Sequence, residues 1–248
     1  MRLSAPVFLA PGESIRHGRQ VVLDGAEGRH AVTVRRLAPG EEIVLADGAG
    51  LAVHGTVNRT EGKDTLYVDV DSRTEEPAPA PRIVVVQALP KGDRGELAVE
   101  TMTEVGVDAI VPWAAARCIT QWKGERGAKA LAKWRATARE AGKQARRLHL
   151  PEVTDPMSTR QVAALLGAAA FAGVLHEAAT EPIATAATPT EGDLVLVVGP
   201  EGGVAPDELA AFAAAGATAY RLGPTVLRTS TAGVSAASVL LARSGRWA

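Results

Sequence analysis

Two glycine-rich stretches carry the residues best suited to chemistry. Val198-Gly199-Pro200-Glu201-Gly202-Gly203 is one; Leu222-Gly223-Pro224, continuing to Leu227-Arg228-Thr229, is the other. Each follows an apolar run and precedes a helical pattern. Glycines there admit positive φ and close backbone approach. Exposed N–H groups at the next helix start can then meet the polar rim of a ligand. Two such junctions close in sequence point to one ligand gripped largely by main chain. Neither carries the Gly-x-Gly-x-x-Gly dinucleotide fingerprint or the Gly-Lys-Ser/Thr of a phosphate loop. Arg228 is a lone guanidinium before a helix start, able to anchor an anionic group. Thr229, Ser230 or Thr231 can cap that helix. His176-Glu177 ends a further apolar run, where a polar turn can border the same ligand.

A second feature is electrostatic. The net charge is only −1, yet residues 117–149 hold ten Lys or Arg against Glu125 and Glu140, a local +8. Such a basic stripe on a near-neutral chain is the footprint of a phosphate-backbone binder, or else a solvated helix face. Within it, Glu140, Lys143, Gln144 and Arg147 share one face at helical spacing. Trp122 and Trp134 interleave it, to stack on bases or to pack inside. The turn Lys91-Gly92-Asp93-Arg94 faces solvent or a phosphate.

Elements must position these groups. Before a proline-rich segment, short β-type runs alternate with turn signals: Val21–Leu23, Glu42–Leu45, Leu51–Val57 and Thr65–Val70, with one helical stretch from Gly28 to Leu37. These predict a small β-barrel over residues 1–73. Prolines at alternate positions make 74–81 an extended linker. From 82 to 248, strands and helices alternate. Strands are expected at Ile83–Leu89, Ala109–Trp113, Ala170–Leu175, Leu194–Val198 and Ala217–Leu222. Helices are expected at Arg94–Val105, Gly127–Leu148, Ser158–Leu166, Pro206–Ala215 and Ser230–Arg243. That order predicts an α/β region with a parallel sheet covered on both faces.

Several classes are disfavoured. Cys118 is the only cysteine and the five histidines are scattered, so no metal site is expected. No apolar run is long enough for a membrane span. Met1 to Ala10 lacks a secretory pattern. The expectation is a cytoplasmic protein without membrane or metal.

Together these motifs resemble the bacterial small-subunit ribosomal RNA uridine-N3 methyltransferases, a family of the SPOUT class of knotted methyltransferases. The resemblance rests on the two glycine-rich stretches, on Glu140-Ala141 with Gln144 and Arg147, on Lys91 and on Glu104-Val105-Gly106-Val107. In the first region it rests on His30 with Val34, Arg36, Leu37, Gly40 and Glu41. It implies S-adenosylmethionine as cofactor, a deep C-terminal trefoil knot, a PUA-like RNA-binding barrel and a homodimer. By analogy the cofactor sits among Leu175, His176 and Glu177; Val198 to Gly203; and Leu222, Gly223 and Leu227, Arg228, Thr229, Ser230, Thr231 and Ala232. RNA would be held by Arg29, Arg35 and Arg36, by Lys91 and Arg94, and by Lys133, Arg139, Lys143, Gln144, Arg146 and Arg147.

The implied reaction transfers a methyl group to N3 of one uridine in 16S ribosomal RNA. N3 lies on the pairing edge, so the base must be unpaired or flipped. Arg228 would stabilise the charge that develops on the uracil carbonyl oxygens, and Glu201 would act as base or orient the cofactor. The family often has Glu where this chain has Ser230, so no carboxylate role carries over there; Thr225 likewise stands where a basic residue is common. Two rivals stay open: a non-catalytic RNA-binding or ribosome-assembly factor on the same fold, and a nucleotide-dependent oxidoreductase, which would lack its glycine fingerprint.

Overall fold

The structure is a computed structural model and describes residues 5–247. The chain forms two compact units, Met1–Ala78 with Gly142–Leu150, and Pro79–Ala141 with Pro151–Ala248.

In the first unit, β1 (Val7–Leu9), β2 (Gln20–Leu23), β3 (Glu42–Ala46), β4 (Leu51–Glu61) and β5 (Thr65–Glu75) form one sheet in the order β1-β3-β4-β5-β2. Only β1 and β3 run parallel. Strict alternation in β2 sends Val21 and Leu23 inward, where Phe8, Ile43, Leu45, Val53, Leu66 and Val68 complete the core. Among the described residues no pairing joins β1 to β2, so the sheet is not a hydrogen-bonded closed barrel. The linker also begins later than composition marks it, because Thr74 and Glu75 pair with Ala52 and Leu51 inside β5.

The helical stretch of this unit begins and ends three residues earlier than its pattern predicts and is less regular. After α1 (Gly12–Ile15), α2 (Gly25–Arg29) widens into a π turn, His30–Val34, and the chain leaves it through Arg36 at φ 57°. The β-branched Val32, Thr33 and Val34 are weak helix formers. Gly28 has no alternative, since a Cβ there would lie 2.0 Å from the Asp64 carbonyl oxygen.

In the second unit, β6 (Arg82–Ala88), β7 (Ala109–Trp113), β8 (Glu152–Val153), β9 (Phe171–Leu175), β10 (Glu181–Pro182), β11 (Asp193–Val198) and β12 (Thr218–Arg221) build a parallel sheet in the order β10-β12-β9-β11-β6-β7-β8. The two-residue edge strands β8 and β10 lack any apolar run to announce them. Both faces are covered. Ile83, Val85, Leu194 and Leu196 join α3 (Arg94–Val105) and α7 (Thr229–Arg243) in one core; Val84, Val86, Val195 and Val197 join α5 (Thr159–Ala168) and α6 (Pro206–Ala214) in the other. That two-sided burial is why these strands read as unbroken apolar runs.

The long basic helix, α4, spans Gly124–Gln144. Gly127, Leu131, Trp134, Ala138 and Ala141 are buried at alternating spacings of four and three, as one apolar stripe requires. Trp134 meets Trp122 edge to face, with centroids 4.9 Å apart. The helix ends four residues before the predicted Leu148. Arg146 N–H donates to the Lys143 carbonyl and Arg147 N–H to the Gly142 carbonyl, with Arg146 left-handed at φ 56°. This is a Schellman stop with arginine where glycine is usual. Arg147 therefore leaves the face it was expected to share with Glu140, Lys143 and Gln144.

Candidate active site

Parallel strands gather ligand-binding loops at their C-terminal ends. The ends of β9, β11 and β12 open onto a cleft of about 600 Å³, within the size range of small-molecule sites. Three segments line it: Leu175–Glu177, Val198–Val204 and Arg221–Thr229 with Ala232. The two glycine-rich stretches and the His176 turn thus converge on one space, as their spacing predicts.

Each loop has a local reason for its shape. In the first, Gly203 N–H donates to the Pro200 carbonyl at 2.8 Å and Gly203 sits at φ 74°. A Cβ on Gly199 would lie 2.8 Å from Val204 Cγ2, so the loop folds back on itself only with glycine there. Glu201 ties it outward: Oε1 accepts the Lys91 N–H at 3.2 Å and lies 3.8 Å from the Arg94 guanidinium. On the other side, Arg117 Nη1 donates to the Gly202 carbonyl at 3.1 Å. His176 is held in its own turn, where Nδ1 accepts the Ala178 N–H and the His176 N–H reaches the Tyr220 carbonyl.

The third loop leads into α7. Arg228 is its N-cap residue and an exposed one, with its carbonyl taking the N–H groups of Thr231 and Ala232. Thr229 is buried and bridges inward. Its hydroxyl donates to the Gly199 carbonyl at 2.9 Å and accepts from Gln87 Nε2 at 2.9 Å.

The cleft wall combines Leu175, Val198, Val204, Leu222 and Leu227 with the guanidiniums of Arg94, Arg117, Arg221 and Arg228. Apolar faces of that kind suit a planar aromatic ring, and the guanidiniums suit a carboxylate or phosphate. Among the described residues no cluster of three or more His, Cys, Asp and Glu could hold a metal, and no helix is long and apolar enough to cross a membrane.

Some expected residues fall elsewhere. Ser230, the second residue of α7, is 3% exposed and lies outside the cleft lining. Thr231 also lies outside, and its hydroxyl donates to the Arg228 carbonyl. Lys143 does not face solvent: its side chain is 7% exposed and Nζ lies 3.0 Å from Glu27 Oε1. Trp134 is buried, not a stacking platform. Lys133 is exposed but pairs with Glu96 at 3.0 Å, as Arg135 does with Asp155 at 3.0 Å. Arg29, Arg35, Arg36, Lys91, Arg139 and Gln144 are at the surface. Arg94 lines the cleft itself. Sequence reasoning passed over Gln87 and Arg221 and counted Arg117 only as part of the basic stripe; the apolar neighbours of Gln87 in β6 were the signal that could have marked it.

Comparison with known proteins fits this geometry. Residues 76–241 match the family model of the RNA methyltransferase domain, and residues 23–71 match that of the RNA methyltransferase PUA domain. The chain belongs to the RNA methyltransferase family. Within that family it is 49% identical to the ribosomal RNA small subunit methyltransferase E of Mycobacterium bovis, over 93% of this chain and 89% of the relative. Against the protein of the same description from Bacillus subtilis it is 27% identical, over 88% of each. Two solved family structures superpose over nearly their full lengths. A Legionella pneumophila methyltransferase in complex with the cofactor S-adenosylmethionine has a TM-score of 0.85 at 29% identity, covering 97% of this chain and 98% of that one. The Neisseria gonorrhoeae ribosomal RNA small subunit methyltransferase E, bound to S-adenosylmethionine, has a TM-score of 0.84 at 26% identity, covering 96% and 97%.

Proposed function

We propose that this protein transfers the methyl group of S-adenosylmethionine to N3 of a uridine in small-subunit ribosomal RNA. The observation that carries this reading is the convergence of the Leu175–Glu177, Val198–Gly203 and Leu222–Arg228 segments on one cleft, in a chain whose relatives are ribosomal RNA methyltransferases. The residues present fit the cofactor. A Cβ on Gly199 would collide with Val204 and one on Gly202 would press on Arg117 at 3.2 Å, so both keep the loop backbone bare; leucine and valine offer faces for adenine, and arginines meet the carboxylate.

When bound, the cofactor supplies an electrophilic methyl group. The protein's part is proximity, orientation and charge. Loss of the N3 proton to water leaves negative charge on the uracil carbonyl oxygens, and Arg228 is placed at the cleft to stabilise it. Glu201 orients the loop, since its Oε1 is already engaged by Lys91 and Arg94. The first unit, with Arg29, Arg35 and Arg36 exposed, and the outward face of α4 hold the RNA backbone. The reading includes a trefoil knot formed where the chain passes from β12 into α7, and the packing of α7 on β6, β11 and α3 supports it. Exposed Ile119, Val226 and Leu227 support a homodimer, and a ribosomal substrate places the work in the cytoplasm. Against the reading as a non-catalytic factor, Ser230, where the family often has Glu, is buried and lies outside the cleft lining.

Calorimetry with S-adenosylmethionine and its demethylated product tests the cofactor; saturable binding of both is expected. Mapping methyl-uridines in small-subunit RNA from cells lacking the gene, with and without its restoration, tests the reaction. An unchanged methylation map would end the proposal.

A further inference from the structure

Gln87 breaks the pattern of its strand. β6 reads Ile83-Val84-Val85-Val86 and then places an amide at 0% exposure. A buried amide is tolerated only when its groups are hydrogen-bonded, yet here Oε1 has no partner. The donor half is fully used. Nε2 donates to the Ala88 carbonyl at 3.1 Å and to Thr229 Oγ1 at 2.9 Å. The amide cannot be turned over to rescue Oε1, because the single hydroxyl proton of Thr229 goes to the Gly199 carbonyl and Ala88 needs a donor. The strand therefore keeps a costly acceptor for the sake of its two N–H groups.

Those N–H groups begin a relay. Gln87 fixes Thr229, and Thr229 fixes the Gly199 peptide, which opens the glycine-rich loop. Thr229 directly follows Arg228, so the same contact sets where that guanidinium leaves the helix start. Around the relay are apolar or small groups, Met102, Val198 and Gly233, and a Cβ on Gly233 would lie 2.8 Å from Met102 Sδ and 3.4 Å from Gln87 Oε1. In this dry setting a hydrogen bond holds its geometry tightly.

We infer that Gln87, through Thr229, is a positioning residue that sets the glycine-rich loop and Arg228 for the cofactor. This rests on the function proposed above. The test compares Gln87→Met, Thr229→Val and Thr229→Ser with the wild-type protein. It reads S-adenosylmethionine affinity by calorimetry, the kcat and KM of methyl transfer, melting temperature, and amide exchange at Gly203 in the cofactor-free protein.

The relay predicts that Thr229→Val and Gln87→Met lower kcat/KM by about 10²-fold through misplaced groups. Exchange at Gly203 should quicken while melting temperature is held, since Gln87→Met also removes the unpaired acceptor. Thr229→Ser, which keeps the hydroxyl, should recover both. Affinity and exchange unchanged in Thr229→Val would overturn the inference. So would losses that track melting temperature across all three variants, because that marks a merely structural amide. Wild-type protein that fails to bind the cofactor would instead sink the proposed function.

Discussion

Arg228 is exposed and lines the cleft while its neighbour Thr229 is buried, and under the proposed function the guanidinium is the donor to developing charge. Arg228→Ala is expected to lower kcat about 10²- to 10³-fold, the usual loss when one donor to developing charge is removed; single-turnover methylation of RNA at the wild-type rate would contradict it. Cys118 makes the opposite case. Burial pushes its thiol pKa up, and the nearby Glu208 and Glu201 charges add to that. The thiolate is scarce in the folded protein at neutral pH. The unfolded chain loses this proton first as pH rises, so the stability contribution is present below the ordinary thiol range and is lost above it. Titration with a thiol reagent at pH 8 should label native protein more slowly than urea-unfolded protein; equal rates would refute this. Arg228 and Glu201, which stand out by residue type in the sequence, both line the cleft. The contacts of Gln87 and Arg117 were not legible there, because they depend on partners more than eighty residues away.

At the scale of elements, legibility followed the stop signals. The end of α3 was read correctly because Gly106 takes the left-handed position, with Val107 N–H on the Met102 carbonyl. The end of α4 has the same bond pattern with Arg146 in that place, and a basic run hides it. Tertiary contacts fix the rest of α4. A Cβ on Gly95 of α3 would lie 2.6 Å from the Trp134 ring. The overpacking cost of Gly95→Ala, about 1–3 kcal/mol, exceeds the helix-propensity gain of up to about 1 kcal/mol. A net fall in the urea midpoint is therefore expected, and a rise would show that the ring yields freely. In the first unit, Lys143 and Glu27 are 7% and 15% exposed. Lys143→Met should cost up to about 3–5 kcal/mol by removing the cation beside the largely buried Glu27 carboxylate, which keeps the Leu9 N–H on Oε2 at 3.3 Å. Chemical denaturation of the Glu27→Gln, Lys143→Met double variant should show most of that loss recovered.

Across the whole molecule, a net charge of −1 conceals separated signs. Several stripe residues are spent on internal pairs with Glu27, Glu96, Glu125 and Asp155, so the basic surface is smaller than the sequence count implies. RNA affinity should still fall linearly with log salt. Replacing Arg35 and Arg36 together by Ala should reduce that slope by about 2 without altering cofactor affinity; an unchanged slope in filter binding would remove them from the interface. The alternation of strands and helices made the α/β class readable. The strand order was not, since nothing local announces that β11 inserts between β6 and β9.

That order has a consequence for how the enzyme is made. β6 is an interior strand of its sheet, yet the partner on one side is translated more than a hundred residues later, and α7 comes after that. A nascent chain must leave an apolar edge waiting, and such long-range closure is slow and prone to sticking. Completion of the cleft therefore waits on β11 and α7. A translation product halted before Thr229 would lack all of α7 and, with it, the last stretch of wall around that hollow.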